Sequence, residues 1–411
     1  MKRPGRVGRV DAMLAGGAVL GLALGLATAA GQRRPAGPPQ PMPAGAVERF
    51  LTPAAVPIPA ASLARAESLI ARNVRGNAFP GATFAAGNRE LVQSVQAWGR
   101  TTWGDSARAV SADSTRYDLA SLTKVVATTA AVMALVEDRK LNLDDPVREY
   151  LPEFSGGAKN RVTIRHLLTH TAGLRAGAVD IASDNPAAVR RYLITRPLLA
   201  EPGEQVLYSD IGFAILWAAA ERAAGEPLRR YLKWRVWGPL GMNSTDVGVP
   251  SPCADCAPTL YLDKEDEPYT GGSYDEVGRR LNGYGGNAGA FSTARDLSRF
   301  AAMIANEGRL GDIRVFQRRT VRGFSRPQPG AGTRALGWEV YCREGVVPDS
   351  KGCTQILAMG HTGVTGTCLW IDPASRTWFV LLTNKTYLPR EDVDMQMLRR
   401  RVFRALAPPV E

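Results

Sequence analysis

Strand-like segments near both ends of the chain, with helices between them, predict a discontinuous α/β domain and an inserted all-α domain. Two observations carry this. Apolar, β-branched and aromatic runs bounded by turn residues occur around Ala82–Ala86 and Leu91–Trp98, and again at Leu336–Tyr341, Thr367–Ile371 and Trp378–Thr383. The stretch between carries apolar residues at helical spacing, broken by Gly, Pro and Asp. With 411 residues, 45% hydrophobic and 22% charged, the chain has globular composition and the length for two or three structural units. A cleft is expected where the two parts meet.

From the start of the chain, Lys2, Arg3, Arg6 and Arg9 precede the uncharged run Ala12–Ala30, which holds small residues at Ala27-Thr28-Ala29. That pattern makes residues 1–30 a signal peptide or N-terminal anchor and puts the rest in the periplasm or cell envelope. Residues 31–60 hold eight prolines and read as a solvated Pro/Ala-rich linker. A folded domain is expected over 61–407, its α/β part about 61–135 and 290–407, its helical part about 136–289. Ser62–Arg75 sets Leu63, Ala66, Leu69 and Ile70 at helical spacing and stops at Gly76-Asn77. The first two strands meet at Gly87-Asn88 as a hairpin. Leu119–Glu137 is a helix rich in Ala, Val, Leu and Met. Further helices are predicted at Val162–Thr169, Ala187–Ile194, Ile211–Ala224, Leu228–Val236 and Asp296–Ala305. Three closing strands lead to a basic helix around Met395–Ala405.

The formal charge is +12, from 51 basic against 39 acidic residues. Such an excess can mark a nucleic-acid partner, but no zinc finger, leucine zipper or RNA-binding aromatic motif accompanies it. Abundant Arg, Ala, Pro and Gly point instead to compositional bias, so no nucleic acid is expected. Of the five cysteines, Cys342 and Cys353 flank a turn-like stretch that a disulfide would close. Cys253 and Cys256 form a CxxC in a Pro-rich loop. No second CxxC or nearby His completes a zinc site, so a loop staple is expected and no metal. Cys368 lies in an apolar strand and reads as a buried thiol.

The chemistry gathers around one of the eight lysines. Lys124 alone has a serine three residues before it, in Ser121-Leu122-Thr123-Lys124 at the head of a helix. On a helix, residues three apart share a face. Serine needs a base to attack, and a buried lysine can be that base if burial lowers its pKa by about 3 units or more. Tyr208-Ser209-Asp210 follows a turn and opens a helix. His361-Thr362-Gly363 precedes a strand near the end.

With these three elements the sequence resembles the serine β-lactamase and penicillin-binding-protein superfamily, in its class C-like branch with family VIII esterases and D,D-peptidases. DLASLTKV, LDDPVREYLPEF, VTIRHLLTHTAGL, PGEQVLYSDIGF, WGPLGMNST, NAGAFSTARDLSRF and GHTGVTGTCLWIDP are similar to family segments, in family order, over about Ser62–Ala405. The resemblance implies a β-lactamase/transpeptidase-like fold, an antiparallel sheet flanked by helices, and no cofactor. It implies that Ser121 is acylated with Lys124 as general base, and that Tyr208 relays a proton to the leaving group. His361, Thr362 and Gly363 would line the substrate, and the backbone N–H groups of Ser121 and Val364 would form the oxyanion hole.

Two positions depart from the family pattern. Asp210 stands where Asn is usual. As an anion it would raise the pKa of Lys124, so a partly protonated Asp210, or base work by Tyr208, is expected. On this reading Asp210→Asn raises penicillin acylation. His361 stands where Lys is frequent, and its hold on a substrate carboxylate should weaken as pH passes ~6.5. Peptide or ester substrates are therefore expected ahead of β-lactams, with a peptidoglycan-derived peptide among them. Membrane contact is expected only through an uncleaved N-terminal segment. The rival reading is a non-catalytic envelope protein that keeps the fold to bind peptidoglycan or a partner.

His166 and His170 have zinc-compatible spacing but no Glu or third ligand, and read as structural. The glycine-rich stretch Gly283–Gly289 follows no βαβ unit and reads as a loop near the cleft. Absence of G-x-S-x-G argues against an α/β-hydrolase. Trp217, Trp234 and Trp237 read as core.

Overall fold

The strands at the two ends of the sequence join in one six-stranded antiparallel sheet. Its spatial order is Glu339–Cys342, Ile356–Thr362, Cys368–Ile371, Trp378–Thr383, Gly81–Gly87, Val92–Gly99. The early and late strands meet where Ala82 pairs with Thr383 and Gly87 with Trp378. The computed structural model describes residues 57–178, 181–262, 267–342 and 356–407. The expected signal segment, most of the linker and Cys353 lie outside them.

Side chains alternate between the faces of a strand, and here both faces are buried. Leu369, Ile371, Val380 and Leu382 join the main core with Leu297 and Phe300 of the helix Ala294–Ala305. Cys368, Trp370, Phe379 and Leu381 join a second core with Ala66 and Ile70 of Ala60–Arg75 and Leu398 and Val402 of Met395–Leu406. Two-sided burial is why these strands read as unbroken apolar runs, and each such Leu or Phe contributes about 1.5–3 kcal/mol.

The middle of the chain supplies Ile164–Leu168, Pro186–Thr195, Asp210–Ala224 and Leu228–Leu232, close to the predicted helices. Each of the first three starts at a local cap. Thr163 and His166 form a reciprocal box, Asn185 accepts from Ala187 and Ala188 N–H, and Ser209 accepts from Gly212 N–H. Asp210–Ala224 ends at Gly225 with φ +73°. Trp217 and Trp237 are buried in the main core and Trp234 packs against it, as expected.

Through this core runs Ala120–Glu137. It is apolar and long enough to cross a membrane, yet it is largely buried inside the domain. It begins as a 3-10 turn at Ala120–Leu122, winds as a π-helix over Lys124–Thr129 and is α-helical over Ala130–Glu137. Wide winding of this kind is frequent at functional sites.

Some expectations need correction. The strand predicted from Leu336 begins only at Glu339. Gly337 turns at φ +81°, and a β-carbon there would meet Thr129 Oγ1 at 2.0 Å, so the chain bends around the central helix before entering the sheet. His361 and Thr362 lie within a strand, Ile356–Thr362, rather than ahead of one. The middle stretch also carries short strands, Asp246–Val247, Leu260–Leu262 and Glu267–Tyr269, too short to leave a period. Cys253 and Cys256 form a disulfide and Cys368 is a buried free thiol. Cys342 is disulfide-bonded.

Candidate active site

Ser121 sits at the edge of a cleft of about 440 Å³, lined also by Tyr208, Arg334, His361, Val364 and Lys385. The backbone before it is held from two sides. Thr365 Oγ1 donates to Asp118 O at 2.8 Å, and Thr367 Oγ1 donates to Leu119 O at 3.0 Å. Ala120 takes φ +47°, a left-handed conformation that costs an L-residue ~1–2 kcal/mol. Strain of this kind persists where surroundings enforce it.

Lys124 is fully buried one turn on. Its Nζ donates to Ser121 Oγ at 3.1 Å, Asp210 Oδ1 at 2.5 Å and Asn287 O at 3.0 Å. An ammonium has three N–H donors, and all three are used. Burial alone would lower its pKa, but the Tyr208 and Asp210 oxygens more than offset that and hold it above the ordinary value. The expectation of a lysine left neutral by burial therefore fails, while the expected effect of Asp210 holds. Asn287 comes from the Gly283–Gly289 loop, which does border the site.

Tyr208 is placed by its neighbours. Leu207 N–H donates to His170 O, Ser209 N–H to His170 Nδ1 at 3.0 Å, and Asp210 N–H to Ala176 O. The His170 ring lies 4.4 Å from the Tyr208 ring, centre to centre. Lys124 Nζ lies 4.9 Å from the tyrosine ring centre and Arg334 Cζ 5.5 Å. His170 is thus structural, as expected, but what it shapes is the site. His166 closes the cap of its own helix.

His361, Thr362 and Gly363 end a sheet strand and turn toward Ser121. A β-carbon on Gly363 would come within 2.5 Å of Leu119 O and 2.2 Å of Thr367 Oγ1, so this backbone packs directly on the serine-bearing turn. Val364 follows, more than half exposed to the cleft. His361 is buried, with Nδ1 2.8 Å from Thr362 O. A carbonyl only accepts, so the proton sits on Nδ1 and Nε2 carries a lone pair. Burial, helped by the charge of Lys124, pushes its pKa down to about 3. The expected charged anchor that fades past pH 6.5 is therefore overturned, because this imidazole is neutral well below that.

A family model described as Beta-lactamase matches residues 66–403. The chain belongs to the β-lactamase family. A protein of Escherichia coli (strain K12) named "Putative D-alanyl-D-alanine carboxypeptidase" is 30% identical over 308 residues, 68% of this chain and 71% of that one. A solved β-lactamase/D-alanine carboxypeptidase from Pseudomonas syringae superposes with a TM-score of 0.68 at 21% identity, over 85% of this chain and all of that one. EstCE1, a hydrolase with promiscuous acyltransferase activity, gives 0.66 at 22% identity, over 84% and 98%. These structures share the β-lactamase/transpeptidase-like fold, and the β-lactamase family makes the chain a serine hydrolase.

In this β-lactamase family member, the structure brings together every site residue read from the motifs: Ser121, Lys124, Tyr208, Asp210, His361, Thr362, Gly363 and Val364. Sequence reading missed Asp118, Asn287 and Arg334. Arg334 lies in a loop with no period. Asp118 stands inside the DLASLTKV segment, but its partners are backbone N–H groups, one of Ala120 beside it and one of Tyr274 far along the chain, which leave no sequence signal.

Proposed function

We propose that the protein is an exported acyl-transfer hydrolase in which Ser121 is acylated, acting on a peptide or ester of the D-alanyl-D-alanine type in preference to β-lactams. The observation that carries it is Lys124 Nζ at 3.1 Å from Ser121 Oγ, on a turn that faces Tyr208 and Val364 across one cleft. The named E. coli relative supports the substrate class.

Ser121 Oγ attacks the substrate carbonyl, whose electrons move to an oxyanion held by the N–H groups of Ser121 and Val364. The hydroxyl proton passes to Lys124 Nζ as one of the lysine's own protons shifts to Asp210 Oδ1, 2.5 Å away. Lys124 thus acts as base without ever becoming free and neutral. The oxyanion collapses, the scissile bond breaks, and Tyr208 protonates the leaving group. The Lys124–Asp210 pair restores the proton of Tyr208. Water then releases the acyl group by the reverse relay. Arg334 and Lys385 supply positive charge at the cleft, where His361 supplies none.

The test is mass spectrometry of the protein after exposure to a fluorescent penicillin, a p-nitrophenyl ester and a D-alanyl-D-alanine peptide. An adduct on Ser121, lost in Ser121→Ala together with turnover, is expected with the ester or the peptide. Without any Ser121-dependent label, the non-catalytic envelope reading replaces this one.

A further inference from the structure

The relay just described leaves one buried acid beside the nucleophile unused. Asp118 is fully buried three residues before Ser121. Its Oδ1 accepts the Ala120 N–H at 2.8 Å, and its Oδ2 accepts the Tyr274 N–H at 2.6 Å. The first bond secures the residue at φ +47° that aims the Ser121 peptide. The second closes a ring. After Tyr274 comes Asp275, whose Oδ1 accepts from Asn287 Nδ2 at 2.9 Å. Asn287 O accepts from Lys124 Nζ, and Lys124 Nζ donates to Ser121 Oγ. The circuit leaves Ser121 by its side chain and returns to it by its backbone.

We propose that Asp118 is a positioning residue of the acylation step, its carboxylate joining the Ala120 and Tyr274 N–H groups so that Ser121 is held in register with Lys124. This rests on the reading of Ser121 as the nucleophile. The ionised form is the one that fits. A carboxylate accepts through both oxygens, whereas an acid or an amide presents a donor on one of them, against an N–H. Burial opposes ionisation and the two N–H bonds favour it. Asp275 and Arg279 are the charged groups that face it. The outcome is a carboxyl pushed up to about 7. The chain's three histidines are all pushed below their ordinary value, chiefly by burial. Lys124 is held above its own. Asp118 is then a group at the site that titrates near neutrality.

The experiment follows p-nitrophenyl ester hydrolysis from pH 5.5 to 8.5 in the full chain, wild type, Ser121→Ala, Asp118→Asn and Asp275→Asn. A Ser121 adduct seen in wild type and absent from Ser121→Ala is the separate check on the nucleophile; its failure sinks that reading and not the geometry of Asp118. The wild-type kcat is expected to rise through an inflection near pH 7. Asp118→Asn should lower kcat roughly ten- to hundredfold, leave KM within about twofold and remove the inflection. Asp275→Asn keeps its Oδ1 acceptor but removes a negative charge facing Asp118, so it should move the inflection to lower pH. It gives an answer even if Asp118→Asn does not fold. The proposal is overturned if Asp118→Asn keeps the wild-type kcat and inflection, or if Asp275→Asn leaves the inflection where it was.

Discussion

Lys124 shows how one departure from a motif bears on the proposed mechanism. With Asn at position 210 the lysine would meet an amide that accepts a hydrogen bond but takes no proton. With Asp210 it meets an anion that both keeps it charged and offers its proton a destination. These effects oppose each other, and the 2.5 Å contact gives the proposed transfer a direct path. Asp210→Asn should therefore lower ester turnover by about tenfold or more, measured as kcat on a p-nitrophenyl ester. A rise in ester turnover or in penicillin acylation would mean that the carboxylate only restrains the lysine. The sequence alone predicts a rise, because it shows the charge of Asp210 and not its distance, and the acylation measurement separates the two. His361 carries a second residue-level prediction. An imidazole with its pKa near 3 stays neutral from pH 5 to 8, so KM for a carboxylate-bearing substrate should be flat over that range. A KM that climbs past pH 6.5 would restore the charged-anchor reading.

At the scale of elements, the serine turn and the turn after the Ile356–Thr362 strand are fastened to each other by Thr365 and Thr367. Gly363 makes that fit possible. In Gly363→Ala the added carbon must displace Thr367 Oγ1 or Leu119 O, which moves the Val364 N–H away from Ser121. Turnover should fall at least tenfold while the sheet and its circular dichroism persist; unchanged turnover would remove Val364 from the oxyanion hole. The strands Trp378–Thr383 and Cys368–Ile371 and the helix Asp210–Ala224 were legible because burial imposes composition and period on them. The serine motif was legible because helical spacing fixes Ser121 against Lys124. What sequence could not show were placements made by backbone hydrogen bonds. Asp118 with Tyr274, and Asn287 with Lys124, join residues more than 150 apart through groups every amino acid shares.

For the molecule as a whole, buried titrating groups set the response to acid. Unfolded histidines titrate near 6.5, whereas folded His361 resists protonation to about 3 and folded His170 is also held low, first by burial. As pH falls below 6.5 the unfolded chain gains protons that the folded one refuses, so stability declines. Asp118 works the other way. Folded, it keeps its proton up to about 7, while the unfolded carboxyl releases it near 3.9, so its contribution declines as pH rises across that window. All three histidines act in the first direction, and Asp118 with the buried Asp296 in the second. The Tm should be highest above about pH 6.5 and fall as pH is lowered toward 4, less steeply in His361→Gln; a Tm indifferent to pH over that range would contradict this.

Ser121 and Lys124 stand on the first turns of Ala120–Glu137, the run around which the main core closes. With Ser121 as the proposed nucleophile, a molecule whose core is open has no competent site, and one that is acylated has closed its core. Counting acylated serines in a sample is therefore a census of native molecules. In a denaturant titration, the amplitude of the acylation burst should fade in step with the fluorescence of Trp217 and Trp237.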